Sequence, residues 1–195
     1  MRKLTYFIGV TIDGFIAAPD GGFDFFPLHP DPEYAGFMAE EYPEIFFPAP
    51  ARKAFGLPEP ELKRFDAVIM GRATYDPGLQ AGLTQPYSPL KHYVVSRSLP
   101  ASTDPEVEFI SGDVVARVRE LKAEDGLGIY LCGGADLAGQ LVEEIDEFVL
   151  KTYPVFAGSG IPMTRAGFAP RDLELTGVRS FTEGQVVTTY ARKRS

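Results

Sequence analysis

Apolar positions along the chain gather in short runs bounded by turn-forming residues, the pattern of strands buried on both faces. Residues 4–10, 66–70, 92–95, 107–110, 128–132 and 147–153 are the clearest runs. Between them the spacing turns helical. Asp31-Pro32-Glu33 predicts a helix start, with Asp31 as N-cap, Pro32 at the first helical position and Tyr34, Phe37, Met38 and Glu41 along one face. Asp113 predicts the cap of a helix that turns Val114, Val118 and Leu121 inward. A third helix is expected from Ala135, with Leu137, Leu141, Val142 and Ile145 on its buried side. Two antiparallel strands, 173–178 and 186–193, close the chain around Glu183-Gly184. Strand-helix alternation ending in a hairpin predicts an α/β fold with a mixed sheet.

Two segments break the alternation. Residues 11–22 form a long glycine-punctuated loop that carries Phe15 and Ile16, apolar residues suited to covering a site, while 19–22 read as plain surface loop. Residues 43–60 hold five prolines, which interrupt regular structure. Ile45, Phe46, Phe47 and Phe55 call for burial, so this stretch is expected to be an ordered excursion from a single domain spanning 1–195.

Composition narrows the function. The chain has 195 residues, 45% of them hydrophobic and 24% charged, as in ordinary soluble domains. A net charge of -8 argues against nucleic acid and anionic membranes as partners. Arg192-Lys193-Arg194 is too short to reverse this and reads as a solvated tail. The single cysteine, Cys132, excludes an internal disulfide framework and reads as a core residue. No apolar run is long enough to span a membrane and no signal-peptide pattern opens the chain, so a cytoplasmic location is expected. His29 and His92 lie far in sequence from any cluster of acids or a second histidine and read as surface or capped residues; no metal site is expected.

The candidate chemistry lies at three strand ends: Gly71-Arg72-Ala73-Thr74, Ser96-Arg97-Ser98 and Gly133-Gly134-Ala135. A glycine pair between a strand and a helix lets backbone amides approach a phosphate at the positive helix end; it also serves as a tight turn. In an open α/β sheet, ligands bind beyond the carboxyl ends of the strands. If these strands run parallel, Arg72, Thr74, Ser96, Arg97 and the glycine amides converge along one edge and suit a phosphorylated dinucleotide.

Together with Asp13-Gly14-Phe15-Ile16-Ala17, Met70-Gly71-Arg72-Ala73-Thr74-Tyr75, Val95-Ser96-Arg97, Cys132-Gly133-Gly134 and the 154–162 segment, the sequence resembles the dihydrofolate reductase superfamily. It is most similar to the reductase domain of the riboflavin-biosynthesis deaminase-reductase family and its stand-alone relatives. The resemblance implies a three-layer fold with a mixed, mostly parallel eight-stranded sheet flanked by helices, and NADPH as cofactor. It implies that Gly9, Ile16 and Ala17 border the nicotinamide. Gly71, Arg72 and Thr74 would hold phosphates, Ser96 and Arg97 would flank adenine and the ribose phosphate, and Gly133, Gly134, Ala135 and Asp136 would take the pyrophosphate.

Asp13 is the candidate to contact substrate, or else a turn-former in Asp-Gly. Asp24, Phe26, Tyr34 and Phe37 are expected to wall the substrate pocket. The chain departs from the folate enzymes in having no tryptophan, and none of Asp31, Glu33, Glu40 or Glu41 aligns securely with their buried carboxylate. The expectation is therefore an NADPH-dependent reductase of a small C=N or C=O substrate, resembling 5-amino-6-(5-phosphoribosylamino)uracil reductase. The alternative is a nucleotide-binding sensor of the same fold without turnover. A homodimer is expected, from the resemblance and from Val155, Phe156 and Ile161 in an exposed-looking loop.

Overall fold

A strand that is apolar on both faces needs cover on both sides, and the chain supplies it with crossover helices. The computed structural model describes residues 1–26 and 31–193. In chain order these form β1 (Leu4–Thr11), β2 (Phe15–Ala17), α1 (Pro32–Glu41), α2 (Pro43–Phe46), α3 (Ala49–Ala54), β3 (Phe65–Gly71), α4 (Arg72–Gln80), β4 (Lys91–Val95) and β5 (Val107–Ile110). They continue with α5 (Val114–Ala123), β6 (Gly128–Leu131), α6 (Ala135–Gln140), β7 (Glu147–Tyr153), β8 (Ile161–Pro162), β9 (Leu173–Ser180) and β10 (Val186–Arg192).

Eight strands make one sheet in the order β5-β4-β3-β6-β1-β7-β10-β9, and β2 pairs with β8 in a separate antiparallel ribbon. From β5 through β7 every pairing is parallel, with Gly71 opposite Val95, Ile69 opposite Leu131 and Gly9 opposite Lys151. β10 and β9 then run antiparallel as the closing hairpin. The mixed, mostly parallel eight-stranded sheet expected from the sequence is present.

Each face of the sheet has its own core. On one, Phe7, Val68, Met70, Tyr130, Cys132 and Val149 pack against Tyr34 and Met38 of α1, Ile45 of α2 and Tyr75 of α4. On the other, Leu4, Tyr6, Ile69, Ile129 and Leu131 meet Val118 and Leu121 of α5 and Leu137 and Ala138 of α6. Asp31 and Asp113 cap α1 and α5 with their carboxylates, as expected. The buried Lys122 on α5 pairs with Asp146 at 2.7 Å, which also accepts from the Leu4 amide, so this ion pair fixes α5 against the start of β1.

Five expectations need correction. The helix after the glycine pair stops at Gln140; Leu141 and Ile145 are buried in the turn that leads to β7. The proline-rich stretch contains two short helices, α2 and α3, and Phe55 is 69% exposed. Arg52 anchors it instead, buried and donating to the Phe47 and Ser88 carbonyls. Arg192 is no solvated tail: it pairs with Glu143 and donates to the Ile145 and Val142 carbonyls. Phe15 and Ile16 belong to β2, so the 11–22 segment is partly a strand. His92 is neither exposed nor a helix cap but fully buried, with Nε2 accepting from the Tyr87 amide at 3.1 Å. His29 lies outside the described residues.

An imidazole that accepts through Nε2 resists protonation, and burial pulls the His92 pKa down to about 4. An unfolded histidine titrates near 6.5. As pH falls from about 6.5 towards 4, the unfolded chain therefore binds a proton that the folded one does not. Stability should decline there by up to about 1.4 kcal/mol per pH unit from this residue. Urea unfolding of the wild type and His92→Gln across that range should show a shallower slope for the variant.

Candidate functional site

Because β3, β4 and β6 are parallel, the residues that follow them meet at one edge of the sheet. There they line a cavity of about 630 Å³. Gly71, Arg72, Ala73, Thr74, Ser96, Arg97, Gly134, Ala135 and Asp136 all border it, and the opposite wall comes from Ile110, Ser111 and Gly112 after β5. Two helices begin at this cavity, α4 after Gly71 and α6 after Gly134, and neither N-terminus has a side-chain cap. Their free amides leave partial positive charge facing the space. At α5 the Asp113 carboxylate accepts from the Val115 and Ala116 amides, so that terminus is already satisfied.

Glycine is needed at 133 because φ is +57°, a left-handed conformation. Gly134 is different. Its φ of -82° and ψ of 171° suit any residue, and an added Cβ would meet only Thr74 Oγ1, 3.8 Å away. The protein leaves that space open.

Arg72 is braced: its Nε lies 3.2 Å from the Asp76 carboxylate one turn along α4, and its Nη1 donates to the Ser98 hydroxyl. Asp76 is thus the acid beside Arg72, and Glu108 pairs with Arg117. Helical spacing from Arg72 carries that signal in the sequence. Arg97 is exposed and forms no ion pair with any described residue. Ser96 is buried, its Oγ accepting from the Ser98 and Leu99 amides, which shapes the turn carrying Arg97. Asp136 turns outward to Arg165 at 3.1 Å.

A second cluster lies on the α1 face, beside the carboxyl end of β1. Gly9 lacks a side chain next to the Tyr153 ring, where a Cβ would come within 3.2 Å. The Tyr153 ring lies 5.0 Å from Phe26, and its hydroxyl is 3.2 Å from that of the buried Tyr34. Lys151, directly opposite Gly9, places Nζ 4.7 Å from the centre of the Phe7 ring. Gly9, Phe26 and Tyr34 therefore come together around Tyr153; Phe37 packs on Tyr42 and on Phe181, which Tyr34 also touches, and Asp24 is exposed. Ile16 and Ala17 sit on β2, which pairs antiparallel with β8. Lys151 and Tyr153 escaped sequence reasoning. Their alternation with Glu147 and Val149 along β7 is the signal that places them on one face.

Asp13 has a different setting from a substrate acid. Its carboxylate accepts from the Thr11 hydroxyl at 2.6 Å, the Ala157 amide at 3.1 Å and the Gly158 amide at 2.7 Å. The Thr11 hydroxyl, helped by the two amides, holds its carboxyl below the usual aspartate range. It is an ionised clasp between the β1–β2 turn and the 154–162 loop, where Phe156 is 73% exposed and Val155 and Ile161 are half-buried.

With this geometry in place, comparisons with known proteins are informative. A family model described as the RibD C-terminal domain matches residues 2–187. The uncharacterized Bacillus subtilis (strain 168) proteins YwjB and YyaP are 31% and 28% identical over 191 residues, 97% of this chain and 97% and 94% of theirs. Among solved structures, a Shewanella sp. PV-4 protein assigned by name to riboflavin biosynthesis covers all of both chains with TM-score 0.69 and 23% identity. The Thermotoga maritima diaminohydroxyphosphoribosylaminopyrimidine deaminase/5-amino-6-(5-phosphoribosylamino)uracil reductase aligns with 98% of this chain and 57% of its own, at TM-score 0.63 and 13% identity. Enterococcus faecalis dihydrofolate reductase, complexed with NADP(H) and RAB-propyl, aligns with 98% of this chain and 97% of its own, at TM-score 0.63 and 16% identity. These three share the fold.

The Asp13 clasp should be pH-sensitive in one direction. Its folded pKa is depressed, so its contribution is present above the unfolded value of about 3.9 and is lost as pH falls through the folded one. Asp13→Ala should speed hydrogen exchange at the Ala157 and Gly158 amides at pH 7. The wild type should show comparable exchange, after correction for intrinsic rates, only below about pH 4.

Proposed function

Because this chain belongs to the RibD C-terminal domain family, we propose that it is an NADPH-dependent reductase of a small C=N or C=O substrate. The observation that carries the proposal is the convergence of three parallel strand ends on one cavity with two uncapped helix N-termini and two arginines. The residues fit a phosphorylated dinucleotide. Open space at Gly134 admits a pyrophosphate close to backbone amides, and Arg97 has no acid to compete for its charge.

On this reading the amides of Gly133, Gly134 and Ala135 hold the pyrophosphate, with Thr74 as a further donor. Arg72 and Arg97 grip the phosphate on the adenosine ribose, and the buried Ser96 positions the turn. The nicotinamide, when bound, supplies the hydride. Gly9 lets the Tyr153 ring close against the backbone of β1, and Phe26 and Tyr34 pack on that ring beside the place proposed for the nicotinamide. The substrate is a small planar molecule, similar in class to that named for the Thermotoga enzyme. The same proposal retains a homodimer in the cytoplasm, with the exposed Ile12, Phe23 and Phe156 as apolar surface for the contact.

Gly134→Val should abolish NADPH binding, followed by cofactor fluorescence, while the unfolding midpoint stays near wild type. Unchanged binding would reduce the glycine pair to a structural turn. Arg72→Ala and Arg97→Ala should each weaken NADPH about ten- to a hundredfold and leave NADH nearly unchanged. Asp76→Asn should move NADPH affinity the opposite way, by removing a like charge from the phosphate's neighbourhood. Equal losses for both cofactors would move the arginines away from the ribose phosphate.

A further inference from the structure

Two lysines of this protein, the buried Lys122 and the half-buried Lys151, are treated in two ways. Lys122 is paired with Asp146 at 2.7 Å and also donates to the Glu144 carbonyl. Lys151 forms no ion pair with any described residue, and Nζ instead lies over the Phe7 ring. Burial pulls its pKa down to about 8. An unpaired cation held inside a fold is costly, and such groups concentrate where chemistry needs them.

Nζ of Lys151 lies over the Phe7 ring, and no described carboxylate forms an ion pair with it. The carboxylates of α1 and α2 are engaged elsewhere. Asp31 accepts from the Glu33 and Glu183 amides, Glu33 pairs with Arg179, Glu41 with Arg64 and Lys63, and Glu44 accepts from the Arg64 and Phe65 amides. Glu40 is exposed, and Glu147, further up β7, is taken by Lys3 and Thr5. The phenols of Tyr34, Tyr42 and Tyr153 and the Cys132 thiol are all pushed up by burial and stay protonated. Asp13 is ionised and saturated with donors.

We propose that Lys151 is the proton donor of the reductase, acting from its position opposite Gly9 on the heteroatom next to the carbon that accepts hydride. The inference rests on the reductase reading above. As hydride from the reduced nicotinamide adds to the carbon of C=N or C=O, the π pair moves onto nitrogen or oxygen. A new N–H or O–H bond forms there as an Nζ–H bond of Lys151 breaks. The neutral amine then recovers a proton from water. One substrate is reduced, one dinucleotide oxidised and one solvent proton consumed. An acid whose pKa lies near the working pH suits this task, and no other described group beside Gly9 has one.

The test combines a spectroscopic and a kinetic arm. Protein labelled at lysine Cε with carbon-13 is titrated from pH 6 to 11 with and without NADP⁺, and the Lys151 signal is assigned by its loss in Lys151→Met. Its midpoint should lie near 8 and fall further when NADP⁺, with its cationic ring, is bound. Lys151→Met and Lys151→Arg should bind NADPH within about twofold of wild type. Both should lose about 10²- to 10⁴-fold in single-turnover hydride transfer, with 5-amino-6-(5-phosphoribosylamino)uracil and dihydrofolate as probe acceptors. Arginine keeps the charge but does not release a proton near neutrality, so its failure separates donation from electrostatics. If NADP⁺ binds and the Lys151 midpoint does not move, or either variant transfers hydride at the wild-type rate, the proposal is overturned and the reductase reading stands. If wild type reduces neither probe, the NADP⁺-induced shift alone decides it. If NADPH does not bind at all, the reductase reading itself fails.

Discussion

The parallel alignment of β3, β4, β6, β1 and β7 is the constraint on which everything else in this protein depends. Parallel strands place all their carboxyl ends at one edge, so residues distant in sequence arrive there together. Reversing β4 alone would send Ser96 and Arg97 to the opposite edge and leave Arg72 without its Ser98 partner. The requirement for crossover connections also explains why helices begin where these strands stop. Two of those beginnings, at Gly71 and Gly134, are left without caps at the cavity.

Charge distinguishes the two sides of that edge. Around the cavity after β3, β4 and β6, Arg72 and Arg97 face a space whose helix termini are also electropositive, and Asp76 moderates one arginine while leaving the other free. Across β1, the Lys151 ammonium lies over the Phe7 ring without an ion pair to any described residue. Gly9 lies on this second face, opposite Lys151 and against the Tyr153 ring. The nearly spent acids of α1 and α2 are structural: they cap helices and hold Arg64, Lys63 and Arg179.

Much of this was legible in the sequence for identifiable reasons. Strand positions could be read because continuous apolar runs meet charged or glycine boundaries, and the Asp31 and Asp113 caps because a short acid precedes helical spacing. The end of α6 was not legible, since Leu141 and Ile145 are buried in a turn and periodicity reports burial rather than helix. Phe55 misled because hydrophobicity ranks it above Arg52, yet Arg52 finds two carbonyls inside the fold and Phe55 finds only the Phe47 ring. The residues of three strand ends that border the cavity were legible as three motifs, and the wall at Ser111 and Gly112 was not, because nothing local announces it. Asp13 shows the reverse failure. Its chemistry suggested a role with substrate, and only the fold reveals that two amides 144 and 145 residues away occupy it.

The central claim is that three strand ends form one site for a dinucleotide carrying an extra ribose phosphate. Phosphorus-31 spectroscopy of NADP⁺ titrated into the protein reads this directly, because the ribose phosphate gives its own resonance and loses its second proton near pH 6 when free. Two arginines should shift that resonance on binding and hold the phosphate dianionic at least about one unit below its free midpoint. A bound cofactor whose ribose phosphate titrates as it does in solution would contradict the account.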